Sequence, residues 1–457
     1  MLSSAVTAEL KKIVGTMYCK CDENLVYGYD ATLTQYPPDA VVFPGSTEEV
    51  AQVIKLANRE LIPVVSRGAG TNLSGGSVPW RGGIVLNLTR MNRILEIDTN
   101  NLLAVVEPGL VNADFQEVLA PLGYYYPPDP ASMKVCTIGG NVGECAGGPR
   151  CLKYGVTRDY IRGLEVVLPT GEVVMTGSKN KPVTDGYDLT RLMIGSEGIL
   201  GVFTKIIVGI SPLPAAKKTM LCSFARIEDA TNAVADMVGE GIVPTTLEMM
   251  DNLLINCAED HTRAGLPRDA AAILLIEVDG YQEDLPRQVE TIRELCRKNK
   301  MREFKLATSA AEVDQLWVAR RTVIGAVARR RPSYSLQDVT VPRNKMPAIV
   351  NKIVEISQKY QLPIGVLAHA GDGNLHPLVL FDERDPAEVA KVHEAEGEIC
   401  RAALELGGTL SGEHGIGSLK LPYLEWEFSA TALNLMKGIK RLFDPNNILN
   451  PGKVVGV

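Results

Sequence analysis

Apolar positions recur at two spacings along this chain, and the switches between them outline its elements. Val41-Val42-Phe43 reads as a short strand. Ser46 and Glu49 then make a capping box. Val50, Val53, Ile54 and Ala57 fall on one helical face, which predicts a helix over 47–59. Ile62–Val65 and Ile84–Leu88 read as strands, and residues 164–174 as a hairpin turning at Thr170-Gly171. After Ser211-Pro212-Leu213-Pro214 the texture changes. A helix near 228–240, a strand at Ala272–Val278 and a helix around 284–298 predict an antiparallel sheet with helices on one face. Leu316–Arg321 begins a further helix. Residues 334–341 read as a strand ended by Pro342, followed by a helix around 344–359. The strand 363–368 delivers His369 to its end, and 377–381 is the next strand. Asp385 and Pro386 then start a long helix that Gly407-Gly408 stops.

Glycine clusters interrupt this pattern at three places. The strand ending at Val65 runs into Arg67-Gly68-Ala69-Gly70-Thr71-Asn72, without the helix that a dinucleotide fingerprint would require next. Without Cβ atoms such a loop can turn successive N–H groups toward an anion, although an ordinary glycine-rich turn fits it equally well. The second cluster runs from Thr137 to Gly148, after Pro128-Asp129. The third is Gly195-Ser196-Glu197-Gly198-Ile199-Leu200-Gly201-Val202.

With 457 residues, 46% hydrophobic and 22% charged, the chain is long enough for two or three domains with ample cores. A net charge of −7 argues against nucleic-acid binding. The nine cysteines are scattered with no CxxC array, which argues against an iron–sulfur cluster and fits reduced thiols in a cytoplasm. The N-terminal residues lack a signal-peptide pattern, and no apolar run reaches the roughly 18 residues of a bilayer span.

Three of the five histidines gather in two short segments, His369-Ala370-Gly371-Asp372-Gly373-Asn374-Leu375-His376 and Ser411-Gly412-Glu413-His414-Gly415. Two glycines and Asp372 keep His369 and His376 off a regular helix and set them around a turn between strands. Two imidazoles with the Glu413 carboxylate would suit a divalent metal with a position left open for substrate. On spacing alone, hydrogen-bonded structural histidines remain the competing explanation. Asp372 reads as turn chemistry, and His261 and His393 as solvated residues.

RGAGTN, TIGGNVGECAGG and IGSEGILGV, in this order, resemble the flavin domain of the vanillyl-alcohol oxidase/p-cresol methylhydroxylase superfamily. Within it the chain is similar to the FAD-linked 2-hydroxy-acid dehydrogenases over nearly its whole length. The resemblance implies an α+β fold: a two-subdomain FAD-binding domain plus an α/β cap domain with an antiparallel sheet. It divides the chain into an FAD-binding domain at 1–214, a cap or substrate domain at 215–415, and a segment returning to the FAD domain at 416–457.

The same resemblance implies that FAD is held by Arg67, Gly68, Ala69, Gly70, Thr71 and Asn72, then by Pro128 and Asp129. Thr137, Gly139, Gly140, Asn141, Gly143, Cys145, Ala146 and Gly147 would follow, with Tyr154, Glu197, Gly198, Ile199, Val202 and Asn450. Relatives that link flavin covalently often carry histidine in the first loop. Thr71 and Asn72 cannot form that bond, so the FAD is expected to be non-covalent. Relatives of the D-2-hydroxyglutarate dehydrogenase kind hold a zinc-like ion at positions matching His369, His376 and Glu413. Zinc, iron or manganese would serve.

Oxidising a 2-hydroxy acid requires loss of the hydroxyl proton, passage of a hydride to the flavin, and an anchor for the carboxylate. His414 is the expected base, and Arg320 the expected two-point carboxylate clamp. Those relatives carry lysine where this chain has Leu336, and asparagine where it has Leu378. Apolar residues there leave nothing to bind a distal carboxylate and point to D-lactate or glycolate. The electrons must leave to a partner, such as an electron-transfer flavoprotein or an iron–sulfur subunit, or to quinone. The expected location is cytoplasmic or peripheral at a membrane, and a homodimer is open. The competing functions are a non-catalytic or electron-transfer flavoprotein subunit of a larger complex, and a flavin transferase on the same fold.

Overall fold

A computed structural model describes residues 2–21, 25–32, 34–180 and 186–457. The chain forms two compact units. The first comprises 1–147, 155–213 and 413–457, and the second 148–154 and 214–412.

The first unit holds two sheets. In the smaller, Cys19–Lys20, Ala40–Val42, Ile84–Asn87 and Val64–Arg67 lie in that order, the last three parallel. The helix Thr47–Glu60 covers it through Val50, Val53, Ile54 and Ala57, all buried. Ser46 accepts from the Glu49 N–H as expected, but Glu49 reaches back to the Gly45 N–H and not to Ser46. The reciprocal box is thus displaced by one residue. The second sheet is antiparallel, in the order Ile94–Asp98, Leu103–Val106, Val202–Gly209, Ile161–Val167, Val173–Gly177. The predicted hairpin is its last two strands.

One glycine cluster behaves differently from its appearance in sequence. Ile138–Glu144 is a helix, with the Thr137 hydroxyl accepting from the Gly140 N–H. Gly139, Gly140 and Gly143 are weak helix formers. Gly139 lies where bulk is excluded, since a Cβ there would come 2.5 Å from Pro108 Cβ, whereas a Cβ on Gly143 would meet open space. The C-terminal segment returns to the smaller sheet, where Val64 N–H donates to Ile448 O and Asn450 N–H to Val64 O.

The second unit is built on an antiparallel sheet. Its strand order is Met301–Leu306, Ala216–Phe224, Ala272–Gly280, Thr246–Asp251, Ile364–His369, Asn374–Phe381, Ser333–Leu336, with Val339–Thr340 also on Asn374–Phe381. Both faces are covered, not the one face expected. Leu221, Met250, Ile273, Leu275, Leu367, Leu378 and Leu380 pack with the helices Asn252–Thr262 and Ala310–Ala326. The alternate residues Met220, Cys222, Leu274 and Ile276 are equally buried, and Ile227–Gly239 and Leu285–Lys298 contact the same strands. That explains why Ala272–Ile276 is a continuous apolar run with no polar alternation. The strand read at 334–341 divides into two short pieces around Gln337 and Asp338.

Candidate active site

In the first unit, the glycine loops surround buried polar atoms that lack hydrogen bonds. Ser66 Oγ, Ser74 Oγ, Ser196 Oγ and Asn450 Oδ1 are all in this state. Such groups are costly unless a ligand or water completes them. The loop after Val64–Arg67 is tightly seated. A Cβ on Gly68 would lie 2.1 Å from Thr137 Oγ1, and one on Gly70 would lie 2.0 Å from Arg67 Nη2. Arg67 is buried, donates to Ser77 Oγ at 3.3 Å, and is pushed below its ordinary value by desolvation. Ser77 in turn donates to Asn72, whose amide donates to Asp30. Asn450, in the left-handed region at φ 44°, donates to Gly76 O and Glu197 O, each at 2.8 Å. It ties the first loop to the third.

Serine hydroxyls, convergent loop backbone and a buried arginine suit the phosphates and hydroxylated chain of a flavin nucleotide. Tyr154 belongs to the second unit, where its hydroxyl donates to Asp279 at 2.9 Å. Burial raises both Cys136 and Cys145 above the usual thiol range.

In the second unit, strand register brings the histidines together. His369 pairs with Asn374, and Leu367 with His376, across the strands Ile364–His369 and Asn374–Phe381. The two rings stand edge to face with centroids 5.1 Å apart. Gly373, at φ 82°, makes the turn between them, and a Cβ there would strike Val341 O at 2.2 Å. Glu248 lies directly across from His369 on Thr246–Asp251. Its Oε1 is 2.7 Å from His369 Nδ1, and its Oε2 accepts from Arg320 Nε at 2.8 Å and also pairs with Arg320 Nη2. Burial pushes this carboxyl upward, but the Arg320 charge and the hydrogen bonds from His369 and Arg320 outweigh it and hold it below its ordinary value.

Behind His376, Asp338 Oδ1 is 3.8 Å from Nδ1. Asp338 Oδ2 accepts from Ser411 Oγ at 2.7 Å and Gly412 N at 2.9 Å. Leu336 lies directly across from Leu378, both packed in the core.

Glu413 and His414 follow Gly412 in sequence and fall in the first unit. His414 Nε2 is 4.0 Å from Glu413 Oε1. Just beyond them, Ile416 and Gly417 both donate N–H groups to the Glu197 carboxylate at 2.8 Å. Burial raises Glu197 to about 7, against the pull of those two N–H groups. His393 and His261 are exposed, as expected.

Glu248 and Asp338 were not among the residues expected from sequence. Each is a lone carboxylate inside a strand-like stretch, and that was the available signal.

The chain matches two protein families: "FAD binding domain" over residues 38–177 and "FAD linked oxidases, C-terminal domain" over residues 213–454. Glycolate oxidase subunit GlcD of Bacillus subtilis is 46% identical, over 94% of this chain and 92% of that protein. GlcD of Escherichia coli is 40% identical, over 99% and 91%. A D-lactate dehydrogenase of Anaerostipes hadrus is 35% identical, over 95% and 91%. Among solved structures, p-cresol methylhydroxylase superposes with a TM-score of 0.82 at 18% identity, covering 99% of this chain and 96% of that one, which shows a shared fold. The first unit therefore carries an FAD-binding domain, and the chain belongs to the FAD-linked oxidoreductases of the glycolate oxidase and D-lactate dehydrogenase type.

Proposed function

We propose that this chain oxidises a short 2-hydroxy acid, glycolate or D-lactate, to the 2-oxo acid. The observation that carries the reading is the shared sheet face of His369 and His376, each with a buried carboxylate behind its Nδ1. A carboxylate on the Nδ1 side favours the tautomer in which Nε2 is the ligating atom. Two imidazoles and a carboxylate are ligands suited to zinc, iron or manganese, and Glu413 is the carboxylate this proposal assigns to them. When bound, such an ion polarises the substrate hydroxyl and carboxylate, and FAD when bound accepts the hydride.

The chain's own residues do the rest. His414 takes the hydroxyl proton, because a neutral imidazole is a competent base near neutral pH. Arg320 anchors the carboxylate. Glu248 occupies its Nε–Nη2 edge, so the anchor is the opposite edge, Nη1 with the second Nη2 hydrogen, which still offers two-point contact. Leu336 and Leu378 present no polar group for a distal carboxylate. The flavin is held without a covalent bond, consistent with the buried Cys136 and half-buried Cys145 thiols, both raised above the usual thiol range. Electrons pass to a partner protein, in keeping with relatives named as subunits. Among the described residues no helix is long and apolar enough to cross a membrane, so contact with a membrane would run through that partner.

The test is anaerobic mixing of purified flavoprotein with glycolate and with each lactate enantiomer, with and without a chelator. Rapid bleaching of flavin absorbance that the chelator abolishes is the expected result. No bleaching by any of the three acids would refute the proposal.

A further inference from the structure

We propose that Glu248 is a positioning residue: one buried carboxylate sets the ring orientation of His369 and at the same time holds the inner edge of Arg320. This rests on the reading of His369 as a metal ligand and Arg320 as the substrate anchor.

The strand Thr246–Asp251 is buried along its whole length, and Glu248 is 1% exposed. A carboxylate in that setting needs a reason. Its neighbours Met249 and Met250 show what the position otherwise takes. Stability is a weak reason, because a buried ion pair is commonly matched or exceeded by well-packed apolar residues of similar volume. Orientation is a better one. Cross-strand pairing puts the Glu248 and His369 side chains on the same face of the sheet, and the 2.7 Å contact reaches Nδ1. An ionised carboxylate only accepts, so the imidazole hydrogen sits on Nδ1 and Nε2 carries the lone pair. Carboxylates behind ligating histidines act in this way generally.

The second oxygen of Glu248 is spent on Arg320 Nε and Nη2. Arg320 itself is 5% exposed and lies on the helix Ala310–Ala326. Fixing that edge pins the guanidinium plane, which determines where the free edge points. His376 supplies an internal contrast. Its Nδ1 is 3.8 Å from Asp338 Oδ1, too far for a direct hydrogen bond. Glu248 therefore holds His369 more closely than Asp338 holds His376.

The decisive measurement is imidazole 15N NMR on histidine-labelled, metal-free flavoprotein, practicable with five histidines. In the wild type, His369 should show the Nδ1–H tautomer with a hydrogen-bonded Nδ1. Glu248→Gln should retain part of that preference through its amide oxygen. Glu248→Met/Arg320→Met removes both charges and leaves no unpaired buried ion, so the fold should survive, and His369 should lose the preference. Zn2+ affinity, read by competition with a chelating dye, should fall about 10- to 100-fold in the double variant and less in Glu248→Gln. In Glu248→Gln, the KM for glycolate or D-lactate should rise more than kcat falls, because the anchor edge is released.

An unchanged His369 tautomer in the double variant overturns the proposal. The tautomer is read without metal or substrate, so failure of wild-type protein to bind Zn2+ or oxidise either acid would refute the functional reading without deciding this one.

Discussion

The glycine loops of the first unit and the histidine face of the second treat buried polar groups differently. Around the loops, Ser66, Ser74, Ser196 and Asn450 keep side-chain oxygens that no protein group satisfies. On the sheet face, the groups closest to the imidazoles are carboxylates with several partners each: Glu248 holds His369 and Arg320, and Asp338 holds Ser411 and Gly412. The loops keep polar atoms that a bound group would have to complete. The sheet face is arranged before anything binds. Binding should therefore stabilise the first region by mass action, while the second gains orientation more than stability.

The largest expected effect lies in the segment linking the two. His414→Ala should slow substrate-driven flavin reduction about a thousandfold, within the usual range for loss of a general base, while flavin content stays unchanged. His393→Ala, on an exposed helix position, should leave the rate as it is. Equal losses in the two variants would remove His414 from its assigned role.

Next in size, the two regions should respond differently to added bulk. Gly68→Val drives a side chain into Thr137 Oγ1, which a Cβ alone would already approach to 2.1 Å. Overpacking of this kind costs about 1–3 kcal/mol, which corresponds to roughly a 5- to 150-fold loss of FAD affinity, measured as the flavin-to-protein ratio after dialysis. Gly365→Val meets Leu254 in the second unit's core, where a Cβ would lie 2.7 Å from Cδ2. It should lower the melting temperature and leave flavin retention intact. A variant that exchanged these outcomes would break the contrast.

Much of the second unit could be read from sequence because its elements carry strong periodicity and clear stops. The helix Pro386–Glu405 begins at its Asp385 cap and ends before Gly407, and the turn at 371–373 puts both histidines at strand ends. Three things were hidden. The helix Ile138–Glu144 contains three glycines, so propensity argued against it, and only its Thr137 cap and close packing explain it. The two-sided covering of the sheet could not be seen, because a buried strand and a buried helix segment share the same apolar run. Glu248 and Asp338 were masked by their surroundings. A single carboxylate in an apolar stretch reads as an imperfection until a partner from another strand or helix is known. Arg320 lies 72 positions from Glu248, a separation at which one sequence gives no pairing signal.

Asp338 allows a finer test of the sheet face. Asp338→Ala removes the acceptor for Ser411 Oγ and Gly412 N, two hydrogen bonds to a charged group, for a cost of about 3 kcal/mol. Asp338→Asn should cost less, since its amide oxygen still accepts. Both are read from chemical denaturation. If Asp338 only filled space, the two variants would be equally stable.

The smallest effect concerns Glu197, whose carboxylate receives the Ile416 and Gly417 N–H groups. Burial raises its folded-state value to about 7 from an ordinary 4.5. Between those values the native chain binds more protons than the unfolded one. By linkage, stability must then fall as pH rises from about 4.5 to about 7 and level off above it. Glu144 lies close by and is also raised by burial and by the charge of Glu197. Less than one full proton is expected to change at Glu197 itself, so the slope stays under about 1.4 kcal/mol per pH unit. Glu197→Gln should flatten the pH dependence of the melting temperature across this window and lower flavin reduction only modestly. A variant curve parallel to the wild type would mean that the proton is held elsewhere, and that the loop after His414 is fastened by a permanently charged Glu197.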